Sequence, residues 1–257
     1  FSGAINGTLA TAAQTNITSV GTLTGLTVSA DSTINGITVG RGANSGDTNV
    51  AVGLNALDAN TTGTTNVAVG RDALGSNTTG GNNTAIGHDA LRANTTGTDN
   101  TAIGENSLDA NTTANDNTAV GSQALNANIT GTANAAVGKD ALRLNVTGSR
   151  NVAIGQNSLE NNTDDDNTAV GYNSLLSNTT GGKNVVVGAA AKSTNTTGSQ
   201  NTVVGYYADG ADTDNDYVTA IGYHALRNNT ASGNTALGYV AAENNTTGSI
   251  NTAIGKQ

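Results

Sequence analysis

Residues 83–99 read NTAIGHDALRANTTGTD, and residue 100 starts the same unit again with NTAIGENSLDANTT. The unit generalises to N-[TV]-A-[VI]-G-x-x-[AS]-L-x-x-N-T-T-G-x-x. The glycine that closes each N-x-A-[VI]-G block falls at Gly53, Gly70, Gly87, Gly104, Gly121, Gly138, Gly155, Gly171, Gly188, Gly205, Gly222, Gly238 and Gly255. Ten of the twelve spacings are 17 residues, and the two ending at Gly171 and Gly238 are 16. Self-similarity at a fixed period marks a stacked repeat, in which each unit buries its face only against its neighbours. Helical repeats need about 33 to 47 residues for their helices, so this period is too short for them.

The period fits two short strands and two turns. N-T-A-V-G alternates side chains as a pleated strand does. The A-L pair marks a second, flatter stretch, with a single helical turn per coil as the alternative. N-T-T-G is turn chemistry, because Asn and Gly tolerate positive φ and Thr hydroxyls bond nearby backbone. The expected fold is therefore all-β: a parallel β-solenoid, or β-roll, of about 13 coils with a 17-residue period. Strands spaced at about 4.8 Å would make it a rod on the order of 60 Å long.

Stacking places like residues above one another. The aliphatic residue before each glycine (Val52, Val69, Ile86 and onward) and the Leu four positions after it (Leu57, Leu74, Leu91) are expected inside the coil. Leu holds nine of twelve positions in its column; Lys192, Asp209 and Ala242 are the exceptions. Asn fills two columns, broken only by Asp212 and Val218, and stacked amides are expected to bond along the axis as ladders. Many of these Asn fall in N-x-[ST] sequons, a match that the period alone generates.

Composition narrows the function. The chain has 257 residues with no Pro, Cys, Met or Trp, and a net charge of −9. An acidic surface without a basic cluster excludes a nucleic-acid partner. No apolar run approaches the length of a membrane span, so membrane insertion is not expected. The absence of cysteine removes disulfide scaffolds and most structural zinc sites. Each coil offers only one Val or Ile, one Leu and a few Ala, a thin core against the ordering of the chain. Association is expected to bury a second face, in a homotrimeric rod whose subunit contact is the small-residue column of Ala56, Ala73 and Ala90.

Residues 1–48 do not follow the unit and read as a β-rich neck or collar preceding the repeat domain of residues 49–257. Short strands are expected at residues 16–20, 23–28 and 34–39, with Asn35-Gly36 as a tight turn and Gly36 to Gly40 as a degenerate first coil. LATAAQTNITSVGTLTGLTV (residues 9–28) and INGITVGRGA (residues 34–43) resemble tail-fibre proteins of bacteriophages, particularly marine ones. The repeat is similar to the array that follows in such fibres. It is also similar to the head repeats of trimeric autotransporter adhesins, whose N-S-V-A-I-G-type unit is shorter and forms a trimeric left-handed parallel β-roll. The resemblance implies a trimeric virion fibre that reaches toward a host surface receptor or glycan. Such fibres often end in a self-cleaving chaperone domain. This chain stops mid-repeat at Gln257 and does not begin with Met, which reads as a fragment or processed piece with that domain absent or removed.

Candidate site residues are few. His88 and His224 lie in well-separated coils, which argues against a catalytic or metal pair. Asp212, Asp214 and Asp216 have the spacing of a calcium loop but lack its glycine and distal Glu. They read as an exposed turn, with Asp164-Asp165-Asp166 in the equivalent turn of an earlier coil. No catalytic, cofactor-binding or metal residue is assigned, and no enzyme activity is expected. Tyr172, Tyr206, Tyr207, Tyr217, Tyr223 and Tyr239 cluster late, with Tyr206, Tyr223 and Tyr239 in one column. That column is expected to stack on itself, with a receptor patch as the alternative. Two other roles are open to the same coils. One is a bacterial surface adhesin or filament, for which an anchor or secretion signal in the full-length gene would decide. The other is ice binding, which the mixing of the strand Thr column with Val50, Val67 and Val152 disfavours and a thermal-hysteresis measurement would test.

Overall fold

The computed structural model describes residues 32–34, 37–42 and 48–256. They belong to one compact unit, Asp31–Gln257. Thirteen three-residue strands, β3 (Val50–Val52) through β15 (Thr252–Ile254), pair in parallel in chain order. Twelve coils connect them. The chain is an all-β parallel solenoid of 17-residue period, with no helix among the described residues. Register is strict: Ala102 sits opposite Ala119, and Ala119 opposite Ala136. No described helix is long and apolar enough to cross a membrane.

The expected strands at residues 16–20 and 23–28 lie outside the described residues. β1 (Ser32–Ile34) and β2 (Ile37–Gly40) pair antiparallel, with Ile34 opposite Ile37. β2 then pairs antiparallel with β3, Val39 against Val52. Residues 37–40 are therefore not a degenerate first coil, because a coil would run parallel to β3. The hairpin shares the sheet of the repeat.

Each coil has one strand, not two. The A-L stretch is a run of turns in which residues two apart have positive φ, among them Asp89 at +56° and Leu91 at +51°. A left-handed Leu costs about 1–2 kcal/mol. Full burial of its side chain returns roughly 1.5–3 kcal/mol, and the Leu column is buried from Leu57 to Leu175. Its backbone is also satisfied: Leu91 N–H donates to Ser107 C=O of the next coil at 3.0 Å. Similar bonds run on every side, for example from Gly104 N–H to Ile86 C=O at 2.8 Å and from Thr95 N–H to Thr112 C=O at 2.8 Å. The coils are thus zipped around their whole circumference.

The closing glycines from Gly53 to Gly238 leave no room for a side chain. Gly121 has φ +134°, and a Cβ there would stand 2.6 Å from the backbone of Gly138 in the next coil.

Two expectations about the faces are corrected. The inward residue of each strand is the middle one: Ala85, Ala102 and Ala119 are fully buried. The aliphatic residue before the glycine points out, with Ile86 40%, Ile154 43% and Leu237 45% exposed. The small column of Ala56, Ala73 and Ala90 is no subunit contact, because it lies in the core of its own coil. The physical reason is volume. A coil of one strand and a tight turn buries one Leu-sized side chain and, on the strand, a small residue that is Ala in all but two coils. The larger aliphatics are left on the outer sheet face.

The Asn ladders form as expected. Asn94 Nδ2 donates to Asn77 Oδ1 at 2.9 Å and to Gly97 C=O at 3.0 Å, and Asn111 repeats the pattern on Asn94. In the second column Asn100 N–H donates to Asn83 Oδ1 at 3.0 Å, and Asn100 Nδ2 to Ala114 C=O at 2.8 Å. Both 16-residue coils lose their residue in the turn between these columns. Asn162 Nδ2 and Asn229 Nδ2 then reach the carbonyl two residues on, at Asp164 and Ala231, instead of three. Strand register survives the deletion, since Ala153 still faces Ala169.

Candidate functional site

Two features depart from the regular coil. The first is on the surface. Tyr206, Tyr223 and Tyr239 each follow a closing glycine and rise in one column. The Tyr206 and Tyr223 rings stack at 5.7 Å and 15°, and Tyr223 and Tyr239 at 5.3 Å and 8°. His224 lies flat against Tyr223 at 3.9 Å, and Tyr207 meets Tyr206 edge-on at 4.7 Å. The strict coil repeat forces the stack, because it sets identical side chains one strand spacing apart. Ring faces are mostly spent on one another, so edges and hydroxyls are what the patch offers to solvent. Ala189 interrupts the column between Tyr172 and Tyr206, and Tyr217 belongs to a different column.

The second feature is inside. Lys192 and Asp209 occupy successive positions of the Leu column, between Leu175 and Leu226, and Asp212 replaces an Asn of the ladder. All three side chains are buried, at 0%, 0% and 1% exposure. Lys192 Nζ lies 2.7 Å from Asp209 Oδ2 and 2.6 Å from Asp212 Oδ2. Asp212 Oδ1 also accepts the N–H groups of Asp214 and Asn215, each at 3.0 Å. Burial pushes the Asp209 carboxyl above the usual carboxylate range, against the opposing pull of Lys192. The same two coils carry buried Val186 and Val203 where other strands have Ala. The ladder registers the change too. Asn195 Oδ1 is buried without a hydrogen-bond partner, because Asp212 above it has no N–H to donate.

One acidic residue departs from the expected exposure, Asp212, while Asp214 and Asp166 are exposed. Asp212 is buried and engaged by Lys192, and Asp216 Oδ1 accepts Ser199 N–H at 2.7 Å. Asp212, Asp214 and Asp216 do not gather as a set of metal-ligand atoms. Asp165 and Asp166 clamp Arg150 of the preceding coil, at 2.9 and 2.6 Å. That bond to the guanidinium holds the Asp166 carboxyl below its usual range and raises Arg150.

His88 and His224 lie eight coils apart. Asp72, His88 and Asp89 bring potential ligand atoms within 4.8 Å of one another. Arg71 packs on His88 and stands 3.8 Å from Asp72, and Arg92 stands 3.7 Å from Asp89. These two guanidiniums already neutralise the carboxylates, so the group is a surface ion network and unfavourable for a further cation.

No protein-family model, no curated protein and no solved structure matches the chain.

Proposed function

We propose that the chain is a structural segment of a bacteriophage tail fibre, a homotrimeric rod that projects from the virion and adheres to the host cell surface. The observation that carries the reading is the outer face of the sheet. Thirteen consecutive strands present aliphatic side chains there, including Val137 at 39% and Val187 at 36% exposure. A contiguous apolar stripe of this kind is uncommon on a monomer. Three copies that set these faces around one axis would cover it. The resemblance of residues 9–28 and 34–43 to phage fibres supplies the setting. The Tyr206–Tyr223–Tyr239 stack, the largest aromatic surface described, is the contact offered to a host receptor or glycan. The role requires no cofactor, nucleic acid, membrane insertion or turnover of an external substrate.

Light scattering on the purified chain tests the assembly. A trimer mass is expected, and Ile103→Lys with Val137→Lys should release monomers that keep the β circular dichroism. A monomer for the unmodified chain overturns the trimer.

A further inference from the structure

We propose that Lys192 and Asp209 join in an intramolecular amide bond that staples two consecutive coils, with Asp212 carrying the proton. The three groups meet the requirements of such a condensation without rearrangement. The nucleophile and its target touch: Lys192 Nζ is 2.7 Å from an oxygen of the Asp209 carboxyl. Reacting groups held at van der Waals range convert a very slow bimolecular reaction into an intramolecular one. The proton acceptor is also in place, with Asp212 Oδ2 2.6 Å from the same nitrogen and its carboxylate fixed by backbone N–H groups. Asn229 Nδ2, which in its shortened coil turns to the Ala231 carbonyl, also stands 3.5 Å from Asp209 Oδ1, the oxygen that remains as the amide carbonyl.

The environment favours the product. In water an ammonium and a carboxylate are well solvated and condensation is uphill. Inside the Leu column neither has water, and a buried ion group is costly even when paired. The amide removes those charges. The upward shift of the Asp209 carboxyl by burial favours the neutral acid, which an amine can attack.

The step balances as follows. Asp212 takes one proton from the Lys192 ammonium, and the freed lone pair adds to Cγ of the protonated Asp209 carboxyl. The Cγ–OH bond breaks and the hydroxyl leaves as water with the second nitrogen proton. One amide N–H remains and Asp212 ends protonated. No oxidant, metal or cofactor enters.

The test is mass spectrometry of the full chain. A mass one water below that of the sequence is expected. Trypsin should fail to cut after Lys192, and further digestion after Tyr206 and Tyr207 should leave two segments joined through Lys192 and Asp209. Asp212→Asn removes the proton acceptor and should slow bond formation by roughly a hundredfold or more. Lys192→Leu with Asp209→Leu and Asp212→Asn restores the regular coil and should show the full mass. The proposal is overturned by a full mass in the unmodified chain, or by a cross-link on Asp212. It is equally overturned by a water loss that leaves Lys192 cleavable, the mark of a cyclic imide at Asp209-Gly210. Formation at the unmodified rate in Asp212→Asn would remove Asp212 from the step. The unmodified chain decides the bond itself, so a variant that fails to fold does not shield the proposal.

Discussion

The coils from Gly104 to Gly155 and those from Gly188 to Gly222 have the same strand length and the same parallel register, yet their interiors are chemically opposite. In the first, Leu108, Leu125 and Leu142 stack over buried Ala and an amide ladder that runs from Asn111 to Asn145. In the second, Lys192, Asp209 and Asp212 hold the same columns. The difference shows what specifies this fold. Backbone bonding around the circumference and the closing glycines set the coil, while the interior must only be filled and internally satisfied. Lys192 with two Asp, backed by Val186 and Val203, meets that condition as Leu does.

The comparison is broken hardest at the backbone. Gly121→Val combines forbidden φ with overlap on Gly138. Strain and overpacking of roughly 2–3 kcal/mol each add to about 5 kcal/mol. Chemical denaturation should show the array unfolding in two parts around that coil. Next, Lys192→Ala removes the partner that Asp209 and Asp212 share, leaves two buried carboxyl groups beside a cavity and should cost about 3–5 kcal/mol. The Lys192→Leu, Asp209→Leu, Asp212→Asn combination should recover most of it, and equal losses in both would show that the altered interior is not self-contained. A smaller effect is expected from importing one altered residue into a regular coil. Asn111→Asp deprives Asn94 Oδ1 of its donor, as Asp212 deprives Asn195, and does so without a lysine. A loss of about 2–3 kcal/mol in thermal unfolding is expected.

The smallest effect is at the surface. The Asp166 carboxyl, lowered by Arg150, contributes stability above the ordinary carboxylate range that is lost as pH falls through its folded value. In Arg150→Gln an NMR titration should find Asp166 moved upward, with little change in stability at neutral pH because the pair is exposed.

Most of the fold was legible in the sequence, since every residue in a column repeats its neighbour's environment. Period, parallel order, Leu interior and Asn ladders all follow from that. The facing of V-A-V was not legible from hydrophobicity, because it ranks Val above Ala and ignores the one-Leu volume of the coil. The second strand was misread because Leu91 adopts a left-handed backbone that its side chain does not advertise. The Tyr stack was readable from column position alone. The buried triad was visible only as broken columns. Its signal lay in Lys192 and Asp209 standing one period apart in a column already read as interior, where opposite charges must meet.

In-register pairing of near-identical coils has a genetic corollary. A duplication or deletion of one whole unit joins strands that already match, so recombination between repeats yields a foldable chain of altered length. Length can then vary in inheritance by integral steps, while Lys192, Asp209 and Asp212, which must stay in neighbouring coils, are inherited as a block.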